Sequence, residues 1–303
     1  MIGLCAGLAC ALPAAGQAPE PGPETIALTE TRTERMTVPI QIGGQGPYRF
    51  IVDTGSERTV ISRELASGLG LEPGLPVQLH SMTEVSRVAT AIVPALRVGR
   101  RTVSGVHAPM LAEQTLGADG LLGVDSLASQ RVELDFRTNE MTVTRSRLHE
   151  ERWDGDTIVV TARSRVGRLI LVDASLDGER VYVILDTGSQ VSVANEALRR
   201  RLAERGRLGP TAPLEVVSVT GGTMTIDYGV ARRMRIGGLR IDNLPVGFAD
   251  VAPFRKLELT ERPAILLGMD ALQLFDRVSM DFSTRRVRLQ MPGPGAVRRP
   301  AAP

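Results

Sequence analysis

The sequence predicts a mostly β protein with two similar lobes related by a pseudo-twofold axis. Three observations support this fold class. Short apolar or alternating stretches dominate the chain, 31 glycines punctuate them, and few segments have helical periodicity. One series of such stretches also occurs twice in the same order, which indicates a duplicated domain. A chain of 303 residues is long enough for two lobes of this kind.

The first 34 residues are predicted to precede the lobes. Residues 2–12 form an uncharged apolar run followed by small residues, so residues 1–18 are interpreted as the signal peptide of an exported protein, periplasmic or secreted. The run is too short to span a bilayer as a helix. Residues 19–34 begin with a stretch rich in Pro, Gly and Glu, and we expect them to form a disordered spacer.

Both cysteines, Cys5 and Cys10, lie within the predicted signal peptide. Its removal would leave a chain without thiols, which excludes disulfides, cysteine nucleophiles and thiolate metal sites. The residues before Cys10 match a lipoprotein acylation site poorly. A lipid anchor therefore stays open but is not favoured.

The first lobe is predicted to span residues 35–147. Met36–Ile42 alternates as a half-buried strand, and residues 43–47 form a turn. The next apolar strand ends abruptly at Asp53, and a short helix capped by Ser62 follows.

The second lobe is predicted to span residues 157–292. A linker at residues 148–156 joins it to the first lobe, and Trp153 within this linker is expected to pack at the lobe interface. A helix is expected at residues 195–204. Residues 293–303 are rich in Pro and are interpreted as a disordered tail.

Two motifs define the repeat: an apolar strand that ends in Asp-Thr-Gly-Ser, and two leucines followed by glycine. The copies are Asp53-Thr54-Gly55-Ser56 with Asp186-Thr187-Gly188-Ser189, and Leu121-Leu122-Gly123 with Leu266-Leu267-Gly268. The separation of equivalent positions grows from 133 residues at the aspartates to 146 at later Asp-Phe pairs, which places the added length in loops. Because burying a lone carboxylate is costly, each aspartate is expected to have the other as its partner.

These motifs resemble the aspartic peptidases, in particular the retropepsin-like branch, as a single chain with two fused lobes. The resemblance implies two β-barrel lobes of the acid protease fold. It implies that the Leu-Leu-Gly strand passes under the Asp-Thr-Gly loop of its lobe, where Gly123 and Gly268 permit a close approach of two backbones. It also implies catalysis by Asp53 and Asp186, without a metal or another cofactor.

The implied chemistry is general acid and base catalysis without a covalent intermediate. Two adjacent carboxyls share one proton, as aspartic protease dyads do. The ionised member takes a proton from a bound water, and the protonated member donates to the substrate carbonyl. Thr54 and Thr187 are expected to hydrogen-bond across the axis, while Gly55 and Gly188 leave backbone N–H groups pointing at the carboxylates.

The serines of the motif bear on the pH optimum. The hydroxyls of Ser56 and Ser189 are each expected to donate to an outer carboxylate oxygen. Such a bond favours the ionised carboxylate and lowers its pKa. We therefore expect an optimum on the acidic side of neutral.

Flaps that cover a bound peptide are also part of the resemblance. The candidates are the residues around Met82 and Thr83 in the first half, and around Gly221 and Gly222 in the second, where the glycine pair suits a mobile hairpin tip. The flap tyrosine of the family has no clear counterpart. Plain surface hairpins remain the alternative interpretation.

The sequence thus predicts an aspartic endopeptidase that acts on peptide or protein substrates as a monomer. The net charge of +2 and an aromatic content of 3% give no basis for a nucleic-acid partner. The alternatives are a noncatalytic peptide-binding protein with the same cleft, and a glycosidase, which the matching environments of the carboxyls disfavour. A dimer formed by exchange of lobes between two chains also stays open.

Overall fold

The structure is a computed structural model. It describes residues 24–27, 29–30, 35–128, 130–146, 153 and 157–293. The predicted signal peptide, most of the predicted linker and most of the predicted tail lie outside the described residues. None of the described helices is long and apolar enough to cross a membrane.

Strands make up 55% of the structure and helices 13%, which confirms the mostly β prediction. The strands described in the first half are β1 (Glu24–Ala27), β2 (Thr29–Glu30), β3 (Met36–Ile42), β4 (Gln45–Val52), β5 (Val60–Ser62), β6 (Pro73–His80), β7 (Val85–Val98), β8 (Arg101–Leu111), β9 (Gly120–Leu122), β10 (Gln130–Asp135) and β11 (Glu140–Arg145). The helices described there are α1 (Arg63–Gly68), α2 (Glu113–Leu116) and α3 (Val124–Leu127).

The second half has a similar succession of elements. Its described strands are β12 (Thr157–Arg165), β13 (Arg168–Leu171), β14 (Ala174–Leu176), β15 (Glu179–Arg180), β16 (Tyr182–Leu185), β17 (Val193–Ala194), β18 (Thr211–Val217), β19 (Thr223–Ile236), β20 (Leu239–Phe248), β21 (Ala264–Leu267), β22 (Arg277–Asp281) and β23 (Arg286–Gln290). Its described helices are α4 (Glu196–Glu204), α5 (Ala252–Lys256) and α6 (Met269–Leu272).

The first lobe is a closed barrel of six strands. Their order is β3-β4-β9-β5-β8-β7, and β3 also pairs with β7 to close the barrel. Two pairings are parallel, β4 with β9 and β5 with β8. The last three residues of β4, Phe50, Ile51 and Val52, are all buried. A strand covered on both faces therefore explains why this stretch is continuously apolar rather than alternating.

The second lobe repeats this arrangement, but the strands equivalent to β3 and β4 are each divided. β16 pairs in parallel with β21, and β17 pairs in parallel with β20. β13 pairs with β16 and β14 pairs with β19, so these two short strands together take the place of β3. Val172 and Asp173 separate them. The predicted duplication into two lobes is confirmed.

A six-stranded sheet joins the lobes in the order β1-β11-β10-β22-β23-β12. Its centre is the antiparallel pairing of β10 with β22, which are equivalent strands of the two halves. The ring centroid of Trp153 lies 6.0 Å from the guanidinium carbon of Arg277 on β22, so this side chain contacts the shared sheet. One apolar core cluster extends through the sheet and into both lobes.

The prediction of a disordered spacer is wrong for part of its length. β1 pairs with β11, from Glu24 opposite Val143 to Ala27 opposite Glu140, and β2 pairs with β3. Ile26 is buried in the core between two exposed neighbours. This alternation of buried and exposed residues is typical of a half-buried strand. It decides the local structure here despite the Pro and Gly residues upstream.

Candidate active site

Both aspartates of the repeated motif directly follow the buried strand of their lobe. The N–H of Asp53 donates to the carbonyl of Leu122 at 3.0 Å, and the N–H of Asp186 donates to that of Leu267 at 3.0 Å. Since β9 and β21 run parallel to β4 and β16, the Leu-Leu-Gly motif supports each aspartate from the neighbouring strand. The two carboxyls are thus presented in equivalent ways.

Gly123 and Gly268 lie where this neighbouring strand meets the loop that follows each aspartate. A Cβ at Gly123 would overlap the backbone of Arg58, and one at Gly268 would lie 2.7 Å from the carbonyl carbon of Val191. Two backbones in contact leave no space for a side chain. Glycine is therefore required at this position in both lobes.

The two loops meet so closely that each glycine of the Asp-Thr-Gly motif faces the carboxyl of the other lobe. A Cβ at Gly55 would overlap the carboxyl group of Asp186, and one at Gly188 would overlap that of Asp53. The duplicated fold thus brings the two predicted catalytic aspartates together.

Reciprocal hydrogen bonds between Thr54 and Thr187 join the loops. The N–H of Thr54 donates to Thr187 Oγ1 at 3.0 Å, and the N–H of Thr187 donates to Thr54 Oγ1 at 3.3 Å. Thr54 Oγ1 then donates to the carbonyl of Leu185 at 2.9 Å, and Thr187 Oγ1 donates to that of Val52 at 2.7 Å. All four bonds cross between the lobes and are buried, so they fix the relative position of the aspartates.

Backbone N–H groups hold the carboxyl of each aspartate. Those of Gly55 and Ser56 donate to Asp53 Oδ1 at 2.8 and 2.9 Å. The N–H of Gly188 donates to Asp186 Oδ1 at 3.0 Å. Such bonds favour an ionised carboxylate.

The prediction for the serine hydroxyls is wrong. Ser56 Oγ donates to the carbonyl of Arg58 at 2.9 Å, and Ser189 Oγ donates to that of Val191 at 2.8 Å. Short polar side chains readily bond to the backbone two residues along the chain, and this local partner is preferred here. The serine hydroxyls therefore stabilise the loops. The acidic pH optimum was inferred from hydrogen bonds between these hydroxyls and the carboxylates, so that inference loses its basis.

Burial is the largest influence on the protonation of the dyad. Asp53 and Asp186 are 9% and 8% exposed. Desolvation, followed by the negative charge of Asp186, raises the pKa of Asp53 to about 7. Desolvation also raises the pKa of Asp186, while Arg168 and backbone N–H groups act in the opposite direction. The pair therefore retains one shared proton up to near-neutral pH.

Sequence reasoning missed Arg168, the buried first residue of β13. Its Nε donates to the carbonyl of Gly55 at 2.5 Å, and its Nη1 lies 3.5 Å from Glu57 Oε1. Glu57 Oε2 also contacts Lys256 Nζ at 2.5 Å. The positive charge of Arg168 opposes the raised pKa values of both aspartates. A signal was present, since Arg35 and Arg168 each stand 18 residues before an aspartate of the dyad.

Asp125 and Asp270, which follow the Leu-Leu-Gly motifs, stabilise the loops near the dyad. Thr59 Oγ1 donates to Asp125 Oδ1 at 2.7 Å, and Ser192 Oγ donates to Asp270 Oδ1 at 2.6 Å. Burial raises the pKa of Asp270 to about 6. The hydroxyl partners lie on the chain just after each Asp-Thr-Gly-Ser motif, so these contacts tie that segment to α3 and α6.

A cleft of about 970 Å³ opens at the dyad and is lined by both aspartates. The β6–β7 and β18–β19 hairpins contribute their tips to its lining, including Met82 and Gly221. The tips touch each other, because a Cβ at Gly222 would lie 2.6 Å from Thr83 Oγ1. The flap candidates of the two halves therefore meet at one cleft.

The sequence profile of a family described as aspartyl protease matches residues 38–126 and 172–271, which together make up more than half of the chain. One matched region lies in each lobe, and each contains one Asp-Thr-Gly-Ser and one Leu-Leu-Gly motif. Comparison with the curated proteins gives no match. The resemblance inferred from the repeated motifs is confirmed, and the chain belongs to the aspartyl protease family as a two-lobe retropepsin-like protein.

Proposed function

We propose that this protein is an aspartic endopeptidase that hydrolyses peptide bonds with a water activated between Asp53 and Asp186. The observation that carries the proposal is the meeting of two buried carboxyls at an open cleft, each held by backbone N–H groups of its own loop. Membership of the aspartyl protease family supports a protease-like function.

The dyad would supply an acid and a base from one shared proton. A pKa of about 7 at Asp53 keeps one carboxyl protonated under acidic to neutral conditions, and the backbone N–H groups favour ionisation of its partner. The ionised carboxylate removes a proton from the water, whose oxygen attacks the substrate carbonyl carbon. The protonated carboxyl donates to the carbonyl oxygen, and a proton then passes to the leaving amine as the C–N bond breaks.

The size of the cleft and its lining by both lobes support a peptide as the substrate. Its volume of about 970 Å³ lies at the upper end of the range for small-molecule sites. The two hairpin tips cover it from opposite lobes. A cleft of this size accommodates a chain of several residues.

The test is cleavage of a diverse peptide library from pH 4 to 8, read by mass spectrometry. Asp53→Asn and Asp186→Asn should each reduce cleavage by roughly 10²-fold to 10⁴-fold, because either change removes the acid and base pair. Asp242→Asn is the matched control, since Asp242 is exposed on β20 and bonds to Arg240. A statine-type transition-state mimic should block the wild type.

Two results would contradict the proposal. Cleavage that survives both substitutions would place the chemistry elsewhere. A folded wild type that binds peptides but cleaves none would instead favour the noncatalytic peptide-binding protein.

A further inference from the structure

The two Asp-Thr-Gly-Ser loops differ in charge directly after the repeated motif. Glu57 and Arg58 follow the motif in the first lobe, and Gln190 and Val191 follow it in the second. All four residues line the cleft. The duplicated loops thus present two charged side chains on one side of the dyad and two uncharged side chains on the other.

Arg58 and Val191 occupy equivalent positions of the backbone. The carbonyl of each accepts a hydrogen bond from the serine hydroxyl of its own loop, and the backbone of each contacts the glycine of the Leu-Leu-Gly motif. The side chain of Arg58 is exposed, whereas that of Val191 packs against the second-lobe apolar cluster that contains Phe254. The difference between the two positions therefore lies in the side chains and not in the loops that carry them.

Two cations already compensate the charge of Glu57. Its Oε2 contacts Lys256 Nζ at 2.5 Å, and its Oε1 lies 3.5 Å from Nη1 of Arg168, whose side chain is 7% exposed. We refer to Glu57, Arg58, Arg168 and Lys256 as the basic wall. It contains three cations and one carboxylate, which gives a net charge of +2. All four of its residues line the cleft.

Arg58 is the member of the basic wall that can bind a ligand. No carboxylate of the residues that the structure describes forms an ion pair with its exposed guanidinium. A guanidinium presents its donors in a planar fork that fits a carboxylate. The excess positive charge is thus offered to the cleft by a side chain suited to an acidic group.

The other half of the cleft carries a different balance of charge. Gln190 and Val191 are uncharged, and the buried Arg35, which is the equivalent of Arg168, adds one positive charge. Glu215 on β18 is exposed and adds one negative charge. The charges of these residues cancel, so the excess of positive charge is confined to the side of the Asp53 loop.

We propose that the cleft selects peptides with an acidic side chain at the position that faces Arg58 and an apolar side chain at the position that faces Val191. This inference rests on the proposed peptidase function. The substrate carboxylate pairs with the guanidinium of Arg58, and Arg168 and Lys256 keep Glu57 from repelling it. Because Arg58 and Val191 lie on opposite sides of the dyad, the acidic residue lies on one side of the scissile bond only.

Substitution along a cleaved peptide tests this selection. Each position within about three residues of the scissile bond is changed in turn to Glu, Gln or Lys, and kcat/KM is measured. At one position Glu should exceed Gln by roughly fivefold, as expected for an exposed ion pair. Added NaCl should reduce this ratio. Arg58→Glu should reverse the order, so that Lys exceeds Glu.

The repeat itself supplies a gain-of-charge variant. Val191→Arg should create a second acidic preference, on the opposite side of the scissile bond. The matched control is Arg63→Glu on α1, which makes the same change of charge at an exposed residue outside the cleft lining. It should leave the ratios of the wild type unaltered.

Two results would overturn the selection and leave the peptidase standing. One is cleavage that does not distinguish Glu from Gln at any position, and the other is an unchanged preference in Arg58→Glu. Binding provides a readout without chemistry, in which labelled acidic and neutral peptide pools are titrated against Asp186→Asn with and without Arg58→Glu. An acidic preference that Arg58→Glu reverses, with a wild type that cleaves nothing, would refute the proposed function alone. A chain that neither cleaves nor binds these peptides would overturn both.

Discussion

At the scale of single residues, the shared proton of the dyad determines how the proposed reaction responds to pH. The pKa of Asp53 is raised to about 7, so the carboxyl that acts as the acid loses its proton as the pH rises through neutrality. We expect kcat/KM to fall above about pH 7 and to fall again at low pH, when both carboxyls are protonated. A pH profile of peptide cleavage measures this directly, and constant activity up to pH 9 would contradict it.

A second prediction at this scale concerns the glycines that face the dyad. Gly55→Ala should abolish cleavage, because the new Cβ would occupy the position of the Asp186 carboxyl. The displacement should also lower the free energy of unfolding by about 1–3 kcal/mol.

The control for this substitution is Gly68→Ala on α1. Apart from the neighbouring residues of its own helix, no heavy atom lies within 4 Å of a Cβ built at Gly68, so cleavage and stability should be retained there. Peptide cleavage and denaturant unfolding provide the two readouts. A fully active Gly55→Ala variant would show that the loops are farther apart than described.

The sequence allowed prediction of the residues whose roles follow from a local motif. Asp53 and Asp186 could be paired because the repeat predicts a twofold relation between them. Arg168 could not be placed, since its partner Gly55 lies in the other lobe and 113 residues away. The serine hydroxyls were placed wrongly because two acceptors lay within reach, and only the folded geometry distinguishes them.

At the scale of elements, the β10–β22 pairing holds the lobes in register. Arg131 lies opposite Asp281, and Asp135 lies opposite Arg277. The ion pairs are reciprocal, with Nε–Oδ2 distances of 3.5 and 2.6 Å. A shift along the strands would break both pairs together.

Removing Asp281 should therefore destabilise the shared sheet. Its carboxylate also accepts bonds from Ser146 Oγ at 2.7 Å and from the N–H of Thr284 at 2.8 Å. Breaking a buried pair costs about 3–5 kcal/mol, so Asp281→Ala should lower the free energy of unfolding by this amount. Asp242→Ala, which removes the exposed ion pairs of Asp242 with Arg233 and Arg240, should cost much less than Asp281→Ala. Urea titration compares the two variants, and equal losses would contradict the role of Asp281.

Element types were predicted better than element limits. The cap of α1 followed from a short local signal, and the Oγ of Ser62 accepts the N–H of Leu65 at 3.0 Å. β1 was missed because its partner, β11, lies more than 100 residues away. In the second lobe, the strand equivalent to β3 is divided into β13 and β14. The division depends on their different partners, because β13 pairs with β16 and β14 pairs with β19.

At the scale of the whole molecule, the two lobes form one folding unit. Strands of both halves lie together in the six-stranded sheet, and one apolar core cluster continues through it. We therefore expect a single cooperative transition in calorimetry, with equal calorimetric and van't Hoff enthalpies. Two separate transitions would show that the lobes unfold independently.

The contacts of Glu57 have a consequence for the substrate. Glu57 stands four residues after Asp53, and Gln190 stands four residues after Asp186. In the first lobe this position thus carries the charged side chain of Glu57, which forms an ion pair with Lys256. In the second lobe the equivalent position carries the neutral amide of Gln190. A dimer of two identical chains would carry the same residue at both positions. Because a polypeptide has a direction, a cleft with unlike halves would distinguish the amino-to-carboxyl direction of the peptide that we propose as its substrate.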